Sequence, residues 1–155
     1  MEVTPQISEF TLDGKTSLAY VGETIFKAAT RHGSDIPHRC YKDGMRADGN
    51  CRACVVEVKG ERVLAPSCCR HPANGMEVTT NSPRAEASQK MVLELLTSDA
   101  PPKNYKPDGN ELTMWADKLW LTKSRFEPRM QPNPDFSHPA MTVTLAACIQ
   151  STRGV

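Results

Sequence analysis

Apolar and polar positions alternate from Ile7 to Leu12, with Ile7, Phe10 and Leu12 apolar, Glu9 polar and one slip in the pattern. Alternation of this kind sends successive side chains to opposite faces of a strand. Asp13-Gly14 follows, a pair suited to a two-residue hairpin turn, and Thr16 to Val21 reads as the returning strand. The period then lengthens. Ile25, Ala28, Ala29 and His32 share one face at helical spacing, and Gly33 stands where a left-handed residue closes a helix. Beyond a loop rich in glycine and charge, Cys54–Lys59, Arg62–Ala65 and Met76–Thr80 read as further strands, the first two separated by a Gly60-Glu61 turn. About five strands around one helix, in an α+β chain with a mixed sheet, make a β-grasp arrangement.

The pattern changes again after residue 81. Ser82-Pro83 supplies a helix N-cap with proline at the first helical position, and Ala87, Met91 and Leu95 recur four apart until Asp99-Ala-Pro-Pro102 stops the helix. That spacing predicts an apolar face laid on the sheet or on a partner. From Pro101 to Pro139 the chain is proline-rich, with one helical stretch, Leu112–Leu121, in which Leu112, Trp115 and Leu119 share a face. Met141–Ala147 is strand-like and leads to Cys148. The organisation expected is a domain over 1–81, a packing helix over 82–100 and an extended tail over 101–155 with one short helix. Such a tail has few apolar positions of its own and orders against another surface. It is therefore expected to leave Trp115 or Trp120 in need of cover, through self-association or partner subunits.

Composition narrows the function. A chain of 155 residues can bury a real core, and a net charge of +1 with 24% charged residues gives no field that would recruit nucleic acid or an anionic membrane. The N-terminus, Met1-Glu-Val-Thr-Pro-Gln, lacks a basic stretch followed by an apolar core, and no run approaches the roughly 18 apolar residues of a membrane span. A soluble cytoplasmic protein is expected. In that reducing compartment six cysteines are better explained by metal or cluster ligation than by a disulfide framework.

Four of the thiols recur as C-x10-C-x2-C-x13-C at Cys40, Cys51, Cys54 and Cys68. Three lie on one loop with small or polar neighbours (Gly44, Ala47, Gly49, Asn50, Ala53), where backbone amides can close in on inorganic sulfide, and the fourth returns on a later strand end. A 2Fe-2S cluster needs two thiolates on each iron, and this spacing provides four. Zn²⁺ is the rival, using Cys51, Cys54 and Cys68 with one of Cys40, Cys69 or His71. Zinc sites generally carry two C-x2-C knuckles, however, and this chain has one. Cys69-Arg-His71 mimics half of a Rieske element, but no downstream C-x2-H completes it. Cys69 reads as a buried free thiol. His32, His38 and His138 read as structural loop or helix-end residues, and Trp115 and Trp120 as packing anchors. Arg39, Arg46, Arg52 and Arg70 flank the thiols, either as solvated surface or as cations that favour the reduced cluster and orient an acidic partner.

Taken together, Asp35-Ile-Pro-His-Arg-Cys40, Asp48 to Cys68, Ala85 to Leu96, Ser124-Arg-Phe126 and Ser137-His-Pro-Ala-Met141 running to Gln150 resemble the N-terminal region of the large subunit of NAD-linked molybdenum or tungsten formate dehydrogenases. That region is similar in turn to the 2Fe-2S domains of complex I and of iron-only and NAD-linked hydrogenases. The resemblance implies a β-grasp, ferredoxin-like domain whose cluster ligands are Cys40, Cys51, Cys54 and Cys68. It also implies an electron-transfer role beside other subunits of a formate dehydrogenase or related NAD-linked complex. In the family, the segment matching Cys148-Ile-Gln150 continues with cysteines that build 4Fe-4S clusters and then a large catalytic portion; here Ser151–Val155 follows. The expectation is an electron-carrying subunit or fragment that cannot oxidise formate alone. The reading from another class is a zinc-bearing or metal-free module that braces a larger assembly.

Overall fold

The computed structural model of the chain describes residues 7–100, 110–128, 130 and 133–143. Strands β1 (Ser8–Leu12) and β2 (Lys15–Ala19) form the first hairpin in antiparallel register, Leu12 facing Lys15. Its turn is Asp13-Gly14, both with positive φ (50° and 79°), the geometry in which right-twisted strands join without splaying. Asp13 also ties the turn to the rest of the domain, its carboxylate accepting from the Thr80 amide at 2.7 Å and the Thr80 hydroxyl at 2.8 Å.

Helix α1 (Ile25–Arg31) begins at Thr24, whose hydroxyl accepts from the Lys27 amide, and ends before Gly33 at φ 84°. Strands β3 (Val55–Val58), β4 (Ala65–Pro66) and β5 (Glu77–Thr79) complete a five-stranded sheet in the order β2-β1-β5-β3-β4. β1 and β5 run parallel at its centre and the other neighbours are antiparallel. Phe10, Leu12, Ile25, Phe26, Ala28, Ala29, Ile36, Val56 and Val78 fill the space between sheet and helix. The mixed sheet gripping α1 is the β-grasp arrangement expected. The strand expected over Arg62–Ala65 is shorter and later, because Pro66 has no amide to extend the ladder and pairing is confined to Ala65 and Pro66 opposite Val56 and Val55.

Helix α2 (Pro83–Ser98) starts at Ser82, whose hydroxyl accepts from the Ala85 amide, with Pro83 in the first turn. Its inward face is a correction. Ala85, Gln89, Leu93 and Glu94 are buried, whereas Met91 and Leu95 of the expected face are 39% and 45% exposed. Hydrogen bonding turns the helix this way: Gln89 Nε2 donates to the Val55 carbonyl at 2.9 Å and the Thr80 carbonyl at 3.2 Å, stapling α2 to the ends of β3 and β5.

Helix α3 (Glu111–Lys118) is capped by Asn110 and presents Leu112 and Trp115 to a second core shared with Ala53 and Leu93, with Leu119 beside it, as its spacing indicates. The chain after α3 is held to α2 by Arg125, whose guanidinium and backbone amide both donate to the Glu94 carboxylate at 2.7–2.9 Å. Strands β6 (Asp135–His138) and β7 (Met141–Val143) then make an exposed hairpin. His138, expected in a loop, ends β6, and a strand precedes Met141 where the pattern predicts none. Both corrections have one cause: with neither face of β6 buried, no alternation marks it, while β7 begins the strand expected from Met141. The rest of the strand expected over Met141–Ala147, and Cys148, lie outside the described residues.

Candidate functional site

The four thiols of the C-x10-C-x2-C-x13-C spacing are carried by the segment between α1 and β3 and by the turn after β4. That turn is anchored by the start of α1. The first amides of a helix have no partner within it, and here Ile25 N–H donates to the Arg70 carbonyl at 2.8 Å and Phe26 N–H to the Ser67 carbonyl at 3.0 Å. Ser67 in turn donates through both its amide (3.1 Å) and its hydroxyl (2.6 Å) to the carbonyl of Cys54. Cys54 and Cys68 are thereby held together at one end of the β3–β4 pair. Cys40, Cys54 and Cys68 are buried and Cys51 is half-buried.

The thiols act on one another. The Cys40 amide points at Cys51 Sγ at 3.4 Å. Interaction with the Cys68 side chain pulls Cys54 down to about 6, and the same interaction, with burial, pushes Cys68 well above the usual thiol range. Burial holds Cys40 up at about 11. Among the described residues no group of three His, Cys, Asp or Glu side chains closes around a single ion. Four cysteines carried by one segment and one neighbouring turn, three of them buried, supply the donor set a two-iron cluster takes, so the residues fit a 2Fe-2S group.

The loop that carries these thiols is bent by residues in the left-handed region: Gly44 (φ 81°), Gly49 (φ 65°) and Arg52 (φ 58°). At Arg52 this conformation is uncommon for a side chain and costs about 1–2 kcal/mol. Its guanidinium donates to the Leu64 carbonyl at 3.3 Å, spanning from the loop to the approach of β4. Of the other arginines beside the thiols, Arg46 pairs with Asp48 at 3.4 Å, Arg70 with Glu61 at 2.6 Å and Arg39 with Glu111 at 3.7 Å. The cationic fringe expected from the sequence is largely met by local carboxylates.

His38 is a packing residue, its ring 4.8 Å from that of Phe26 and 5.7 Å from that of Trp115, with Nδ1 3.0 Å from the Ile36 carbonyl. His71 Nδ1 lies 3.1 Å from the Glu23 carbonyl, at the entry to α1. Trp115 is 3% exposed and Trp120 is 84% exposed, so of the two indoles only Trp120 lacks cover. Sequence reasoning does not single out Ser67 or Gln89, and it names Arg52 only as one of the cations flanking the thiols. The C-x2-C knuckle at Cys51 and Cys54 is the signal for its left-handed backbone, since the residues inside it must curl sharply.

Residues 7–83 match the family described as the 2Fe-2S iron-sulfur cluster binding domain. The chain is 29% identical over 149 residues to an NADH-quinone oxidoreductase subunit from Rickettsia bellii, covering 94% of this chain and 22% of that one. It is 46% identical over 125 residues to the NADP-reducing hydrogenase subunit HndD of Solidesulfovibrio fructosivorans, covering 76% and 21%. The chain thus spans about a fifth of the length of these relatives. Among solved structures it superimposes on the NAD+-reducing NiFe-hydrogenase in the H2-reduced state with a TM-score of 0.73 at 31% identity, over 92% of this chain and 62% of that one. Residues 7–83 belong to the 2Fe-2S iron-sulfur cluster binding domains, with a β-grasp ferredoxin-like fold, and are related to the corresponding subunits of NADH-quinone oxidoreductases and NAD-linked hydrogenases.

Proposed function

We propose that Cys40, Cys51, Cys54 and Cys68 hold the 2Fe-2S cluster. We propose further that the chain serves as an electron relay within an NAD-linked formate dehydrogenase assembly in the cytoplasm. The observation that carries the reading is that all four thiols, three of them buried, lie inside the segment that matches the cluster-binding family. When bound, the cluster takes up and returns one electron at a time.

The protein's own part is to make the thiols ligands and to shelter them. Cys40 is raised by burial and Cys68 by its Cys54 neighbour, so ligation must displace their protons, while Cys54 is shifted towards the thiolate. The Cys40 amide faces the Cys51 sulfur and offsets part of the negative charge there. Burial of Cys40, Cys54 and Cys68 keeps water from three of the four ligands. The described residues contain no helix long and apolar enough to cross a membrane.

The formate dehydrogenase reading rests on the resemblance carried by Asp48 to Cys68 and Ser124-Arg-Phe126, while the matched relatives are subunits of NADH-quinone oxidoreductases and hydrogenases. The chain should be purified with its partners from its own cells by an affinity tag and tested for reduction of the cluster, read by electron paramagnetic resonance. Both formate and NADH are expected to produce the reduced-cluster signal. Reduction by H2, or by NADH alone, would move the chain to a hydrogenase or a complex I-like assembly.

A further inference from the structure

Cys69 is the one described cysteine left outside the proposed ligand set, and it is not placed as a bystander. Its Sγ lies 3.6 Å from Cys68 Sγ and 3.7 Å from the Ala47 carbonyl oxygen. On its other side is Gly49, where an added Cβ would come within 3.1 Å of the Cys69 sulfur. The backbone holds the thiol in this slot, because the Cys69 and Arg70 amides both donate to the Pro66 carbonyl at 3.0 Å. Cys69 therefore stands between the loop that carries Cys40 and Cys51 and the turn that carries Cys68.

A thiol has one hydrogen to give. Once Cys68 is a metal-bound thiolate it can only accept, so the contact between the two sulfurs has a single polarity, from Cys69 to Cys68. The competing acceptor is the Ala47 carbonyl. A thiolate draws the hydrogen more strongly than a neutral carbonyl does, because the bond is charge-assisted. The sulfur-to-sulfur contact is also the shorter of the two.

Resting on the reading of Cys68 as a ligand, we infer that Cys69 is a positioning residue that donates an S–H···S hydrogen bond to the Cys68 ligand sulfur and so raises the reduction potential of the cluster. A donor aimed at a ligand sulfur stabilises the state with more negative charge, which is the reduced one. The same contact explains why a second cysteine follows the ligand directly: a serine could donate equally, but an apolar residue could not.

The test uses the full chain with its cluster, comparing wild type with Cys69→Ser, Cys69→Ala and Cys69→Val in potentiometric titrations followed by electron paramagnetic resonance. Deuterium exchange in electron-nuclear double resonance of the reduced protein supplies a second reading. The expected result is a midpoint shifted to more negative values in Cys69→Ala and Cys69→Val and kept near wild type in Cys69→Ser. An exchangeable proton coupled to the cluster should be seen in wild type and Cys69→Ser and be lost in the other two. Unchanged midpoints in Cys69→Ala and Cys69→Val, with intact visible spectra, would overturn the inference and leave Cys68 ligation standing. Loss of the cluster in Cys69→Ala with retention in Cys68→Ala would instead show Cys69 to be the ligand, which overturns the reading beneath it.

Discussion

Gln89 is a polar side chain on the buried face of a helix, and its replacement by Met tests how α2 is held beside the cluster loop. The amide is 3% exposed, and its nitrogen donates to the carbonyl of Val55, the residue next to Cys54, and to that of Thr80. Methionine keeps the volume, so no cavity cost enters. The Val55 carbonyl would lose its Gln89 donor in a buried place, at about 1–3 kcal/mol, and the partly buried Thr80 carbonyl would lose about 0.5–1.5 kcal/mol more. Urea unfolding of the cluster-free protein, followed by far-ultraviolet circular dichroism, should show Gln89→Met less stable than wild type by about 2–4 kcal/mol. Met91→Ala, on the exposed side of the same helix, should cost no more than about 0.5–1 kcal/mol. A Gln89→Met cost under about 0.5 kcal/mol, or a larger cost for Met91→Ala, would refute the assignment of the buried face.

Three further outcomes are expected. Because the thiol-bearing loop contributes little apolar surface, removal of the cluster should speed hydrogen exchange over residues 38–54 while β1, β2 and α1 stay protected; uniform protection in both forms would contradict this. Glu94 is held down to about 2, chiefly by the hydrogen bond from Arg125, from an ordinary value of 4.5. A carboxyl lowered on folding stabilises fully above its unfolded value and loses that contribution as pH falls through its folded one. The stability difference between wild type and Arg125→Gln should therefore be constant above pH 4.5 and shrink towards pH 2; parallel stability curves over that range would count against the pair. Trp120, Met130 and Phe136 are 84%, 94% and 70% exposed, so Trp120→Ser should weaken self-association or subunit capture in sedimentation experiments without lowering stability, and unchanged association would free Trp120 of that role.

What the sequence makes legible is what local chemistry decides. Asp13-Gly14 announces the first hairpin because few other pairs take positive φ at consecutive positions, and Ser82-Pro83 announces α2 because cap and proline fit only a helix start. The thiols can be nominated by spacing, but the way Cys68 is brought to Cys54 cannot, since it depends on Ser67 bonding to the Cys54 carbonyl and on α1 donating its free amides to the carbonyls of Ser67 and Arg70 on either side of Cys68 and Cys69. The inward face of α2 escapes the pattern for a physical reason: its most informative buried residue is Gln89, polar in composition yet satisfied by two backbone carbonyls. Strand β6 escapes it because every residue in it is exposed, whereas β7 begins the strand expected from Met141. Cys69 reads as a hydrophobic filler in the sequence, and only the fold sets its sulfur against Cys68 and Gly49.

The central claim is that four particular thiols hold the cluster, and it is tested most directly by one set of spectra. Wild type and the Cys40→Ser, Cys51→Ser, Cys54→Ser, Cys68→Ser and Cys69→Ser variants, each with its cluster assembled anaerobically, should be compared by iron and sulfide content and by electron paramagnetic resonance after reduction. Wild type and Cys69→Ser should be red-brown, with equal iron and labile sulfide and a reduced 2Fe-2S signal, and the other four should lose or grossly shift it. A normal signal in any of those four, or a bleached Cys69→Ser, would contradict the assignment.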